Sequence, residues 1–85
     1  MKHATPAVLD TIEPLLAEIR KRTTLREKSR GIFNYRSKAW LHFHEDPAGL
    51  FADLREGADF TRRAANSDAE RCALLDALDR SLQAR

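Results

Sequence analysis

His42 and His44 stand two residues apart. On a strand that spacing puts both imidazoles on one face. His-x-His with a carboxylate as third ligand is a pattern that metal sites use, and Asp53 and Glu45 are the carboxylates within reach. Only Asp53 shares the histidines' face under the register given below; Glu45 points the other way. The competing expectation is structural: His42 pairs with Asp53 across the strands, His44 packs on Phe51 or Ile32, and no metal or other cofactor is resident. Two histidines without an independent third ligand make a weak metal signature.

A second constellation is Trp40 with Arg36 and Arg55. A guanidinium stacked on an indole is a common surface device. The same set can stack a nucleobase or hold a phosphate. It can also anchor an interface, where Trp and Arg are enriched. A third feature is the charge distribution. Residues 20–38 carry Arg20, Lys21, Arg22, Arg26, Lys28, Arg30, Arg36 and Lys38 against Glu27 alone, a local net of +7 within a chain of net +2. The flanking segments are acidic, so the basic centre either steers an anionic partner or meets the carboxylates of neighbouring elements. Arg62 and Arg63 are placed to join it in space. Nothing in the chain has the pattern of a phosphate-binding glycine loop, a Ser-His-Asp set or a paired-carboxylate site, and the single cysteine, Cys72, has no sequence-local partner. These absences favour binding over catalysis.

The elements that must position these residues follow from periodicity. The 85 residues form one small domain, 1–85, whose 42% apolar content supports a modest core and whose 33% charged content with three Gly and three Pro argues against disorder. No apolar run reaches the roughly 20 residues of a transmembrane helix, and the first ten residues lack a signal-peptide core, so a soluble cytoplasmic protein without membrane contact is expected. Residues 5–22 read as an amphipathic helix opened by Thr5-Pro6, with Val8, Leu9, Ile12, Leu15, Leu16 and Ile19 on one stripe. Pro14 either kinks this helix or moves its effective start to near Asp10. Residues 23–30 read as a polar connection.

Three antiparallel strands follow, Gly31–Arg36, Ala39–Glu45 and Leu50–Arg55. Asp46-Pro47-Ala48-Gly49 has the chemistry of a type I turn. Pairing Asp46 with Gly49 sets Phe43 opposite Ala52 and Leu41 opposite Leu54. Phe33 opposite Phe43 and Tyr35 opposite Leu41 extend the same apolar face, with Leu50 at its end. The other face then carries Ile32, Asn34, Arg36, Trp40, His42, His44, Phe51, Asp53 and Arg55, with His42 between Asn34 and Asp53 and Trp40 between Arg36 and Arg55. Residues 57–66 read as a loop anchored by Phe60. Ser67-Asp-Ala-Glu70 is a capping box that opens a last helix to about Gln83, striped by Leu74, Leu75, Leu78 and Leu82. The expected fold is α+β, a two-layer sandwich of helix, three-stranded antiparallel meander and helix, with both helices on one sheet face.

The stretch Gly31-Ile-Phe-Asn-Tyr-Arg-Ser-Lys-Ala-Trp-Leu-His-Phe-His, followed by Leu50-Phe-Ala-Asp-Leu-Arg55, resembles small bacterial α+β proteins and is loosely similar to the MmcQ/YjbR-like family over residues 30–56, through a strand-turn-strand with a central Lys38 and a following aromatic. The resemblance implies a two-layer arrangement shared with frataxin-like domains, and it implies DNA binding as one activity. Frataxin-type iron binding, which uses an acidic first helix, does not fit a helix ending Arg20-Lys21-Arg22.

The expectation is therefore a non-catalytic binding domain that pairs with itself through the face of Ile32, Arg36, Trp40, His42, His44, Phe51, Asp53 and Arg55, since Ile32, Trp40 and Phe51 together expose more apolar surface than a monomer usually leaves to water. The alternative is a nucleic-acid-associated protein using Arg20–Lys38 and the Trp40 face. The third reading is a metal-binding protein or enzyme using His42 and His44.

Overall fold

In the computed structural model, which describes residues 2–83, the N-terminal helical stretch divides at Thr11–Ile12 into α1 (Pro6–Asp10) and α2 (Glu13–Arg20). Pro14 is the reason. It has no N–H to return to the Asp10 carbonyl, so an unbroken helix would lose that bond, whereas in the first turn of a new helix the missing donor is harmless. Pro14 occupies that first turn of α2, and the Thr11 hydroxyl donates to the Val8 carbonyl at 2.6 Å to close α1. The stripe survives the break: Leu9, Ile12, Leu15, Leu16 and Ile19 are all buried.

The sheet is larger than the expected three-stranded meander. It has six strands, all pairings antiparallel: β1 (Lys2–His3), β2 (Arg26–Ser29), β3 (Ile32–Tyr35), β4 (Lys38–Asp46), β5 (Gly49–Glu56) and β6 (Asp59–Ala64). The order is β2-β3-β4-β5-β6, and β1 pairs with β4 at His44 and Glu45, beyond the end of β3. Residues expected as connections, 23–30 and 57–66, supply β2 and β6. Neither has a buried face, and both are charged edge strands, a composition that discourages further pairing and hides the strand signal. Phe60 does not anchor a loop on the core; it is 40% exposed on β6.

The β4–β5 hairpin has the expected register, with Asp46 opposite Gly49, Phe43 opposite Ala52 and Leu41 opposite Leu54. Asp46 Oδ2 accepts the Ala48 N–H at 2.9 Å, the bond the turn chemistry calls for. Gly49, at φ +136°, also leaves room for Asn66, whose side chain accepts from Leu50 N–H at 2.8 Å and donates to Leu50 O at 3.1 Å. The capping box of α3 (Asp68–Gln83) is closed both ways: Ser67 Oγ accepts the Glu70 N–H and Glu70 Oε1 accepts the Ser67 N–H, each at 3.1 Å.

The β3–β4 hairpin departs from expectation in two ways. Its turn is only Arg36-Ser37, with Tyr35 opposite Lys38, so Phe33 faces Leu41 rather than Phe43 and His42 faces Ile32 rather than Asn34. Both turn residues have positive φ, 51° and 68°, the pattern of a two-residue type I′ turn without its usual Asn or Gly. The register also shifts between Phe33 and Asn34, which pair with Leu41 and Ala39 and leave Trp40 as the extra residue of a bulge. The slip of two keeps Phe33 and Tyr35 on the apolar face. The bulge transfers Trp40 to that face, where it is 7% exposed.

Trp40 thus belongs to the core and not to the interaction face. Its ring meets Tyr35 edge-on at 5.0 Å, and its indole N–H donates to Ser81 Oγ on α3 at 3.1 Å. One cluster joins it with the buried residues of all three helices and with Phe33, Tyr35, Leu41, Phe43, Leu50, Ala52 and Leu54 of the strands. Trp40→Ala is therefore expected to lower unfolding stability by ~3–5 kcal/mol, as truncation of a buried aromatic does, whereas Phe60→Ala changes it by less than ~1 kcal/mol. Urea unfolding of both variants, followed by far-ultraviolet dichroism, checks the contrast; a Trp40→Ala loss below ~1 kcal/mol would return Trp40 to the surface.

Candidate functional site

The strand positions that alternate away from the core, Ile32, Asn34, His42, His44, Phe51 and Asp53, form one side of the sheet. Of the expected interaction face, Trp40 is absent, Arg36 lies in the β3–β4 turn, and Arg55 sits at the end of β5. Three residues join it that the sequence reading did not place there. His3 arrives through β1, and Phe60 and Arg62 arrive through β6. The signal for β6 was present as an apolar residue between charged ones at Asp59-Phe60-Thr61-Arg62; nothing local marked β1.

All three histidines of the chain meet on this side. The His3 ring lies 4.8 Å from His44 and 6.1 Å from His42, and His42 and His44 are 5.9 Å apart. His42 also packs on Phe60 at 5.3 Å. His42 and Asp53 are register partners, yet the imidazole nearest the carboxylate is that of His44, with Nε2 3.3 Å from Asp53 Oδ2. The approach is an ion-pair contact that does not meet hydrogen-bond geometry, and both His44 ring nitrogens are buried. Asp53 is held instead by a two-pronged contact from Arg62, Nε and Nη2 at 2.8 and 2.9 Å, which keeps its carboxyl below the usual range. Glu45 accepts the Thr5 N–H at 2.6 Å and lies 3.6 Å from Lys2 Nζ, so it braces β1. Among the described residues no three His, Cys, Asp or Glu side chains are arranged to hold a metal ion. Cys72 is exposed on α3.

The basic run divides into two populations. Arg20 bonds Glu27 through Nε and Nη2 and Glu13 through Nη1. Lys21 pairs with Glu18 at 2.7 Å, Arg22 grips Asp79 with two bonds of 2.9 Å, and Arg30 reaches Asp10 and Glu13 at 2.8 Å each. Arg62 and Arg63 are paired with Asp53 and Glu56, so neither joins an unpaired cluster. Arg26, Lys28, Arg36, Lys38 and Arg55 have no carboxylate partner among the described residues. They gather at one corner of the sheet. Arg26, Lys28, Asn34 and Arg36 line one cleft on the β2 side of the turn, with Glu27, already engaged by Arg20, at its wall, and Arg36, Lys38 and Arg55 line another on its far side. A third cleft carries Lys28 and Asn34 across to His3 and His42, so the corner and the histidines are continuous.

Comparison with family models, curated proteins and solved structures finds no match to this chain. The chemistry must be read from the residues themselves. An unneutralised cationic corner beside a histidine-bearing sheet side offers electrostatic and hydrogen-bond donors.

The histidines give the fold a pH dependence of known sign. Burial, then the neighbouring charges of His44 and His3, holds the His42 imidazole below its ordinary 6.5; burial does the same for His44, opposed by Asp53. Both bind a proton less readily folded than unfolded. Stability is therefore full above pH 6.5 and is lost as pH falls through that value. Asp53, Glu27 and Glu56 have carboxyls shifted downward from 3.8 or 4.5, so they stay charged in the upper part of this window and do not mask the loss. The urea midpoint should fall between pH 7.5 and pH 5, and His44→Phe should flatten that fall. An equal midpoint at both pH values would show that the imidazoles do not couple to folding.

Proposed function

We propose that this chain is a non-catalytic binding domain whose ligand is a polyanion of the nucleic-acid backbone type, held by Arg26, Lys28, Arg36, Lys38 and Arg55. One observation carries the reading: the strand and turn cations without carboxylate partners, Arg26, Lys28, Arg36, Lys38 and Arg55, converge on one corner, while Arg20, Arg22 and Arg30 brace the fold through ion pairs and Arg71 and Arg80 lie apart on α3. A merely solvated basic run would have no reason to sort in this way. The corner contacts phosphates and lacks a groove-entering helix, so the binding is sequence-independent. The scaffold behind the corner is a two-layer one, with the helices packed on the Trp40 side of the sheet.

Fluorescence anisotropy of a labelled single-stranded 20-mer tests this. Affinity should lie near 10⁻⁴–10⁻⁶ M at moderate salt, and about five phosphate contacts should weaken it roughly 100-fold between 50 and 200 mM salt. Arg26→Ala combined with Lys28→Ala and Lys38→Ala should lower the salt slope by about 2, whereas Arg20→Ala should leave it unchanged. An unaltered slope in the triple variant would remove the corner from the interface.

Self-association through the histidine side is the second reading, favoured by exposed Phe60 beside half-buried Ile32 and Phe51. Its anchor is Phe60 in place of the buried Trp40. Sedimentation equilibrium should then show a dimer that Phe60→Glu dissociates; a monomer across the micromolar range rejects it.

A further inference from the structure

The cleft between the β3–β4 turn and the β5–β6 turn has a volume of about 590 Å³, within the range of small-molecule sites. Its charged lining is entirely positive: Arg36, Lys38 and Arg55, with Tyr35, Trp40, Gly57 and Ala58 beside them. Arg55 is fixed by donating Nε to the Ala39 carbonyl at 2.9 Å and Nη1 to the Ala58 carbonyl at 3.4 Å, and its guanidinium stacks on Phe60 at 4.7 Å. Neutral carbonyls orient it without cancelling its charge, and Nη2 is left to donate. Arg36 lies over the Tyr35 ring at 5.2 Å. Two planar donor forks and an ammonium suit an anion with several acceptor oxygens and more than one charge.

The backbone adds an independent observation. Arg36 and Ser37 both sit at positive φ, 51° and 68°, where Asn-Gly is the favoured pair. A non-glycine residue in that region is uncommon, and strain of this kind gathers at functional sites. Asn at position 36 would satisfy the turn better but would remove the guanidinium from the cleft.

From these features together we infer that the cleft is a binding site for a small phosphomonoester of mononucleotide size, its phosphate on Arg36, Lys38 and Arg55 and its organic body against the wall that Tyr35, Trp40 and Ala58 supply. This rests on the anion-binding reading and narrows it to one pocket, where a terminal phosphate with two charges meets more donors than a phosphodiester does. The occupied cleft also tethers both turns to one ligand.

Titration calorimetry with adenosine 5′-monophosphate, with adenosine as the uncharged control, tests the site. The monophosphate should bind with a Kd at or below about 1 mM, and adenosine at least tenfold more weakly. Amide shifts in nuclear magnetic resonance should concentrate at residues 35–38 and 55–58. Arg36→Asn should weaken the monophosphate at least tenfold while raising the melting temperature by a few degrees, because it relieves the turn. Monophosphate affinity within twofold of the original in Arg36→Asn overturns the assignment, as does equal binding of adenosine. Failure of the monophosphate with oligonucleotide binding intact rejects this site alone; monophosphate binding with the 20-mer unbound upholds the site and rejects the broader polyanion reading.

Discussion

One extra residue in β4 sets the geometry of half the molecule. Between the pairs Phe33–Leu41 and Asn34–Ala39 the strand β4 advances by two residues while β3 advances by one, so Trp40 and Leu41 both turn toward the core. An unbulged strand would send the indole to the opposite side, among the histidines, and leave the C-terminal half of α3 without its partner at Ser81. With the bulge, Trp40 fills the space between Tyr35 and α3, and its N–H is satisfied. The bulge also ends the regular β4–β5 pairing before Arg55, whose guanidinium turns back to the Ala39 carbonyl. The cationic cleft at this end of the sheet is thus a consequence of the same irregularity that completes the core.

Electrostatics follows a division of labour that net charge conceals. Arg20 and Arg30 tie α1 and α2 to β2 and the following turn through Glu13, Glu27 and Asp10, and Arg22 ties α2 to α3 through Asp79. Exposed pairs of this kind contribute little each, so their effect is mainly orientation and the local cancellation of charge. With those carboxylates engaged, the field of Arg26, Lys28, Arg36, Lys38 and Arg55 faces solvent uncompensated. A chain of net +2 can therefore present a strongly positive corner.

The parts of the fold legible in the sequence were those where local chemistry and burial agree. Asp46-Pro47-Ala48-Gly49 announces its turn, that turn sets the β4–β5 register, and alternation then places Phe43, Ala52, Leu41 and Leu54 correctly. Ser67 and Glu70 announce the start of α3 in the same way. The strands β2 and β6 were illegible because edge strands need no buried face: Arg26-Glu-Lys-Ser29 carries no apolar residue at all. The turn at Arg36-Ser37 was illegible because neither residue is one that positive φ selects, and with the turn length wrong the bulge at Trp40 could not be inferred. Five members of the expected face, Ile32, His42, His44, Phe51 and Asp53, do lie together. Trp40 left by parity, and His3 entered through a two-residue pairing that depends wholly on the tertiary fold.

The histidine side and the cationic corner are one electrostatic system, because a single cleft runs from His3 and His42 to Lys28 and Ser37. Protonation of an imidazole there adds a positive charge beside cations that already lack partners. That addition opposes folding, since burial and mutual repulsion already hold His42 below 6.5. It favours an anion in the cleft for the same Coulombic reason. By linkage the anion must then raise the proton affinity of the imidazole by the factor by which the proton raises the affinity of the anion. Asp53 damps this exchange only in part, because Arg62 engages both its oxygens while His44 approaches one of them at 3.3 Å. His42, which lines that cleft, is the imidazole through which this exchange runs; His44 is shifted in the same direction by burial but does not line the cleft.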